Sequence, residues 1–173
     1  IGYDKFIGSN QNATGNVYTI STPEKKNIIS KVVSHTPARN DAILWMVHTF
    51  IAQGRQNEAW SLMTVLRRDT EMPDRLKPAL EEMVAWWYYQ EEQFDSAAVH
   101  LENALPAAAN MLEKSRWEYL TAQLYERADK KEEANRMYAK SVSHTTDPVM
   151  EAYGRISQIR LVSGDDVEKR IKM

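Results

Sequence analysis

Four histidines, at positions 35, 48, 100 and 144, are the side chains best suited to metal binding or proton transfer in this chain of 173 residues. No two of them are four residues apart on one predicted helix, and none lies beside an acidic cluster with the spacing of metal ligands. We expect His35 and His144, at the ends of predicted helices, to cap backbone carbonyls. Cysteine is absent, so neither a thiol nucleophile nor a Cys-ligated metal is available. The sequence therefore predicts no metal site and no cofactor.

Carboxylate pairs are the second possible source of chemistry. Adjacent residues on a helix point about 100 degrees apart, so neighbours such as Glu81 and Glu82 do not converge on one substrate. The sequence contains no Gly-rich phosphate loop and no nucleophile motif. We predict that the chain is not an enzyme, since an active site would need perturbed titratable groups gathered around a residue such as His48 or His100.

Charge and hydropathy argue against two other classes of partner. Lys plus Arg number 22 and Asp plus Glu number 24, which leaves a net charge of -2 and no electrostatic reason to expect nucleic acid. No apolar run approaches the roughly 20 residues that span a bilayer, so we predict no direct membrane insertion by this segment. Because the first residue is Ile1 and the last residues continue a helical pattern, we expect the chain to be part of a longer polypeptide.

The elements that would position these side chains are helices. Residues 1–20 are rich in Gly, Asn and Ser without a helical apolar period, which predicts an irregular extension. Ser21 and Glu24 can form a capping box, so we predict a helix from Pro23 to Thr36. Beyond it, apolar residues recur every three to four positions. The predicted fold is all-α, with about eight to nine helices.

Three segments of the chain repeat one another. In each, a small residue is followed three positions later by an aromatic residue and, nine positions after that, by an alanine. The alanines are 38 and 37 residues apart. Small residues let two antiparallel helices approach closely, and the aromatic residue fills the space beside them. The pattern therefore predicts a solenoid of stacked helix hairpins. The three sets are Val47, Phe50 and Ala59; Ala85, Tyr88 and Ala97; and Ala122, Tyr125 and Ala134.

These spacings resemble the tetratricopeptide repeat, in which a small residue is eighth, an aromatic eleventh and an alanine twentieth in a unit of about 34 residues. Asn40, Pro78 and Ser115 are then first residues, and we expect Asn40 and Ser115 to cap helices. Long spacers before Pro78 and Ser115 predict longer helices or longer turns. The predicted divisions are an extension (1–20), the second helix of a partial repeat (21–39), three repeats (40–77, 78–114 and 115–147) and a partial repeat (148–173) with a turn at 163–166.

The resemblance also implies a groove that binds other proteins. Chaperone-binding members of the family hold a C-terminal carboxylate with Lys, Asn and Arg, but the matching sites carry residues such as Leu44, Met83 and Leu120, so the resemblance does not extend to such a clamp. We expect a helix or an extended peptide instead. The implied partner-binding residues are Leu44, His48, Glu82, Trp86, Tyr89, Gln90, Arg116, Tyr119, Gln123 and Arg127.

The tryptophans divide between packing and binding. Trp86 has two open interpretations: it anchors a partner in the groove, or it packs on the following repeat. The other four we assign to packing between repeats. These are Trp45, Trp60, Trp87 and Trp117.

A narrower resemblance covers about residues 38 to 160. The runs from Asp41 to Trp45, from Gly54 to Ala59, from Phe94 to Ala98 and from Asp147 to Ile156 are similar to the large repeat lipoproteins of Bacteroidetes in the SprE/PorW family, which serve type IX secretion and gliding motility. The resemblance implies a periplasmic protein tethered to the outer membrane by a lipid outside this segment. It implies no catalytic residues.

Two functions therefore stand as expectations. The first is a non-enzymatic scaffold that binds other proteins of the secretion and gliding machinery. The alternative is an interaction module attached to an enzyme or transcription regulator that lies outside this segment.

Overall fold

The computed structural model describes residues 19–24 and 38–171, with side chains for 19–24 and 39–161. Seven α-helices are present in these ranges, against the eight to nine predicted for the whole chain. Two single-turn 3-10 helices, Asp74–Leu76 and Leu105–Ala107, lie between them. The α-helices are α1 (Ala38–Ala52), α2 (Gln56–Arg68), α3 (Lys77–Gln90), α4 (Phe94–Ala104), α5 (Met111–Arg127), α6 (Lys131–His144) and α7 (Pro148–Ile171).

The helices form an array of antiparallel hairpins, in which each helix packs mainly on its neighbours along the chain. The hairpins are α1–α2, α3–α4 and α5–α6, and α7 packs on α6. The described residues include no strand, and none of the described helices is both long and apolar enough to cross a membrane. The predicted all-α helix-hairpin solenoid is confirmed.

The core lies at the positions that the repeat pattern marks. Ala59, Ala97 and Ala134 are all 0% exposed, and the small residues of the first helices are buried with them. One core cluster lies among α1, α2 and α3 and a second among α3 to α7. Tyr88 packs against both clusters, so α3 joins the two halves of the array.

The hairpin turns share one backbone geometry. Gly54, Glu92 and Asp129 are the residues with positive φ among those described, at 71°, 56° and 58°. They are 38 and 37 residues apart, like the alanines. In each turn the next residue donates its N–H to the carbonyl five residues earlier, which is the 6→1 bond of a Schellman motif. These bonds are Arg55 to Phe50, Gln93 to Tyr88 and Lys130 to Tyr125, each 2.9 Å long.

Replacing Glu92 with Gly is expected to stabilise the protein by about 0.5–1 kcal/mol, because a left-handed conformation costs a residue with a Cβ about 1–2 kcal/mol and glycine offsets part of that gain by its freedom in the unfolded chain. Chemical denaturation measures the change. Glu91→Gly is the matched control, since Glu91 has a φ of -85°, and should destabilise. A loss of stability in Glu92→Gly would contradict the strain argument.

The linkers between hairpins account for the long spacers in the sequence. Each contains one 3-10 turn, at Asp74–Leu76 and Leu105–Ala107. Pro78 occupies the first turn of α3, as predicted. The helix that follows the second linker begins at Met111, before the expected first residue Ser115. The spacers therefore contain longer connecting turns before α3 and α5, and α5 is also a longer helix, so both predicted explanations apply.

Two predicted helix caps are wrong. Asn40 lies inside α1 and is 2% exposed; its amide donates to the carbonyl of Thr22 and accepts from the N–H of Thr22, both at 2.8 Å. Ser115 lies inside α5, whose cap is Asn110, with its side chain accepting from the N–H of Glu113 at 2.9 Å. Both predicted caps are polar residues that tertiary contacts hold in helix interiors.

The predicted helix start at Pro23 is also wrong. Residues 21–24 are not helical. Asp69 accepts from the N–H of Ser21 at 2.7 Å, and Glu24 accepts from Arg75 at 2.7 Å in place of closing a capping box. Contacts with the distant linker therefore override the local capping pattern. The rest of the predicted helix to Thr36, like residues 1–18 of the extension, lies outside the described residues.

The predicted turn at 163–166 is wrong as well, because α7 continues as one helix from Pro148 to Ile171. A single glycine inside a helix costs only about 1 kcal/mol relative to alanine, so Gly164 alone does not end it. No proline follows in the sequence to force a break.

Candidate protein-binding face

The first helices of successive hairpins are α1, α3, α5 and α7. We call the surface formed by their exposed side chains the first-helix face; it includes Trp45, Tyr89, Leu120 and Tyr153. The ring centroids of His48 on α1 and Trp86 on α3 lie 4.8 Å apart. At the other end of the array, Oγ of Ser115 on α5 lies 3.6 Å from Sδ of Met150 on α7. These contacts set first helices beside each other, as stacked hairpins require.

The predicted partner-binding residues fall into three groups by exposure. Leu44 is buried. Half-buried residues are His48, Glu82, Trp86 and Tyr119, and exposed residues are Tyr89, Gln90, Arg116, Gln123 and Arg127.

Leu44 and Tyr119, both fifth in their repeats, turn toward the core. Leu44 belongs to the first core cluster, and the ring of Tyr119 packs on that of Tyr138 in α6 with centroids 5.2 Å apart. At these two fifth positions the side chain therefore packs inside the array, whereas Glu82, fifth in the middle repeat, is half-buried. On α1 and α5 the next residue along the chain, Trp45 and Leu120, is exposed instead, a rotation of about 100 degrees around the helix, whereas Met83 at the matching position of α3 is buried.

The structure brings Tyr89 and Arg127 to one place. Both contact Phe94, at the start of α4: the Tyr89 and Phe94 ring centroids are 6.1 Å apart, and the Arg127 guanidinium lies 5.2 Å from the Phe94 ring. A shallow depression lined by Phe94 and Arg127, among others, opens beside them. This arrangement combines an aromatic surface with a cation at the junction of two hairpins.

The surroundings of Glu82 disfavour the charged form of its carboxyl group. Burial raises the pKa of its carboxyl above the ordinary value, and the nearby carboxylate of Glu113 raises it further. Its neighbour Glu81 points to α4, where it lies 2.5 Å from Nδ1 of His100. Hydrogen bonding to His100 lowers the pKa of Glu81. The two adjacent carboxylates thus face different surroundings, as their helical spacing predicts.

Trp60 and Trp87 pack between repeats, as predicted, and Trp45 does not. Trp60 and Trp87 have ring centroids 4.3 Å apart, and Trp117 packs against the second core cluster. Trp45 is 67% exposed. It lies three residues before His48, on the same stripe of α1, and so belongs to the first-helix face. Trp86 contacts His48 of the preceding hairpin.

The histidines act in contacts between helices. His100 stacks on Tyr88, with centroids 5.2 Å apart and an angle of 7° between the rings. Nδ1 of His144 lies 2.8 Å from Oε2 of Glu118, a carboxylate that is only 1% exposed. The prediction that His144 caps a carbonyl is therefore wrong, because the buried carboxylate is the stronger partner. His35 lies outside the described residues.

No group of three potential metal ligands gathers anywhere among the described residues. The contacts of His100 and His144 join pairs of helices within a hairpin and lie in its packing interface. Hydrogen bonds of this type hold the two helices of a hairpin in a fixed relative position.

Besides Trp45, sequence reasoning missed exposed apolar residues on α5 and α7. Leu120 is 44%, Tyr153 59% and Ile156 60% exposed, and Val149 is exposed beside them. The helical spacing could have identified Leu120, because it lies four residues after Arg116 and three before Gln123, and both of those residues were predicted to bind a partner. On α7, Val149, Tyr153 and Ile156 follow the same three-to-four spacing.

The fold and this face define an α-solenoid-like protein built from helix hairpins. No protein-family model, no curated protein and no solved structure matches the chain.

Proposed function

We propose that the first-helix face binds a segment of another protein and that the chain is a non-enzymatic scaffold. One observation carries this proposal. Of the ten large hydrophobic side chains that are exposed among the described residues, nine lie on first helices and one, Val99, lies on a second helix. Exposed apolar side chains that cluster on one surface are typical of surfaces that bind other proteins. Met46 is the exception, because it lines a depression between α1 and α2. The uneven distribution supports one face as the binding surface.

The residues on this face are of the types that anchor protein interfaces. Trp45 and Tyr153 are aromatic, Leu120 and Ile156 are aliphatic, and arginines border them. Trp, Tyr and Arg are enriched among residues that contribute most to binding. Since these side chains lie outside the core clusters, their removal should leave the fold intact.

A random library of displayed sixteen-residue peptides, selected on the immobilised protein, tests the proposal. We expect the selected peptides to bind Tyr153→Ala and Ile156→Ala at least tenfold more weakly, a change of about 1.4 kcal/mol each. Fluorescence anisotropy measures the affinities. The matched control is Val99→Ala on α4, where an apolar residue of similar exposure, 45%, is removed from a second helix.

The control decides between this face and the rest of the surface. Equal losses in Val99→Ala and Ile156→Ala, or no loss in any first-helix variant, would exclude the first-helix face as the binding surface. Circular dichroism of each variant separates lost binding from lost folding.

The partner that we propose is a component of the type IX secretion and gliding machinery, at the periplasmic side of the outer membrane. The sequence runs similar to the SprE/PorW family support this narrower proposal. The parent gene provides the test: a lipoprotein signal upstream would favour it, whereas an adjoining catalytic or DNA-binding domain would favour an attached interaction module.

A further inference from the structure

The C-terminal half of the first-helix face combines apolar and cationic side chains in a fixed order. Between Leu112 and Arg127, α5 exposes a stripe of four residues, and the residues between them are buried or half-buried. Arginines form its two ends. The stripe is Arg116, Leu120, Gln123 and Arg127.

Helix α7 extends this stripe with apolar residues. Ser115 contacts Met150 near the start of both helices, and Arg160 contacts Glu126 at 2.6 Å near the end of α5. The two helices therefore run parallel and in register. This register, an offset of 34 to 35 residues along the chain, places Tyr153 and Ile156 within about half a helical turn of Leu120 and Gln123. The result is an apolar patch between two arginines of α5.

The two arginines at the ends differ from others nearby. Arg155 pairs with Glu151 at 2.8 Å, and Arg160 pairs with Glu126. For Arg116 and Arg127, by contrast, the described part of the chain offers no ion pair. Arg127 lies over Phe94, a contact that uses the face of the aromatic ring and leaves the guanidinium hydrogens available.

The acidic groups near these arginines make other contacts or none, and within the described residues none pairs with Arg116 or Arg127. Glu92 and Asp95 line the depression beside Arg127, and Asp95 pairs with Lys130 at 3.8 Å. Glu113, one helical turn before Arg116, accepts from the N–H of Ala109. The guanidinium groups at both ends of the apolar patch can therefore pair with carboxylates of a ligand.

We propose that this half of the face binds an apolar protein segment flanked by acidic residues on both sides. The inference rests on the proposed function and specifies its partner. Arg127 lies eleven positions after Arg116, which corresponds to about 16 Å along the helix. Acidic residues about eleven positions apart in a helical ligand, or about five apart in an extended one, would match this distance. Charge complementarity of this kind determines specificity and orientation more than affinity.

A second copy of the chain fits the patch less well. It would present the same two arginines, so pairing of the two patches about a twofold axis would bring like charges together. The charge pattern therefore favours a different protein with acidic residues.

The displayed peptide library provides the probe. We expect selected peptides to carry an apolar centre with Asp or Glu on both sides, and replacement of those acids by Lys to weaken binding at least tenfold. Arg116→Glu should weaken the acidic peptides at least tenfold and strengthen the Lys versions. Arg68→Glu, which reverses an exposed charge on α2, is the matched control and should change affinity less than about threefold.

The outcomes separate this inference from the proposed function. Selected peptides that lack acidic residues, or that bind Arg116→Glu and Arg68→Glu alike, would overturn the acidic ligand even where Tyr153→Ala still weakens binding. Loss of the dependence on Tyr153 and Ile156 would instead overturn the face itself. Acidic peptides that lose affinity in both Arg116→Glu and Tyr153→Ala would support both.

Discussion

Replacing Ala97 with Leu is expected to destabilise the protein by about 3 kcal/mol, because the larger side chain must enter a fully packed interface between α3 and α4. Ala97 is 0% exposed and belongs to the second core cluster. Small domains have about 5–15 kcal/mol of total stability, so this change removes a large share. Urea denaturation followed by circular dichroism measures it.

The same substitution at an exposed alanine is the control. Ala139 lies on the surface of α6, and Ala139→Leu should change the free energy of unfolding by less than about 0.5 kcal/mol. Alanine and leucine are both good helix formers, so helix propensity contributes little to either variant. Equal effects at the two sites would mean that close helix approach at the repeated alanines does not hold the hairpin together.

Replacing Gly154 with Leu is expected to have the second large effect, because the larger side chain should weaken the packing of α7 on α6. A Cβ at this position would lie 2.5 Å from Cγ2 of Val142, well inside contact distance. Overpacking of this kind costs about 1–3 kcal/mol or more, and the better helix propensity of Leu recovers less than about 1 kcal/mol. We expect a net loss of about 2 kcal/mol and faster amide hydrogen exchange in α7.

A control variant and a compensating double variant test whether the clash at Gly154 causes the loss of stability. Ala152→Leu, on the exposed side of the same helix, should leave stability unchanged. Val142→Ala combined with Gly154→Leu should recover part of the loss, since it removes the methyl groups that clash. A Gly154→Leu protein as stable as the wild type would show that α7 does not depend on this close approach.

The sequence predicted the repeat because its signals are local. Small residues and alanines at fixed spacing depend only on contacts within one hairpin, and the positive φ at Gly54, Glu92 and Asp129 follows the same period. Glu92 could not have been identified as left-handed from residue type, since the hairpin imposes that conformation against the preference of a residue with a Cβ.

Helix ends and the face were predicted less well because they depend on distant contacts. Asn40 and Ser115 are good caps by type, yet tertiary contacts hold them inside helices. Leu44 and Tyr119, at fifth positions, turn toward the core. Only the packed array shows that Trp45 and Leu120, at sixth positions, are exposed while Met83 is buried.

Methyl NMR of the protein, titrated with a peptide selected from the library, tests the proposed first-helix face most directly. We expect the methyl resonances of Leu120, Val149 and Ile156 to shift, because these side chains lie exposed on first helices. The resonances of Val99, exposed on α4, should remain in place. Shifts at Val99 with no change at Leu120, Val149 and Ile156 would contradict the proposal that this face binds protein partners.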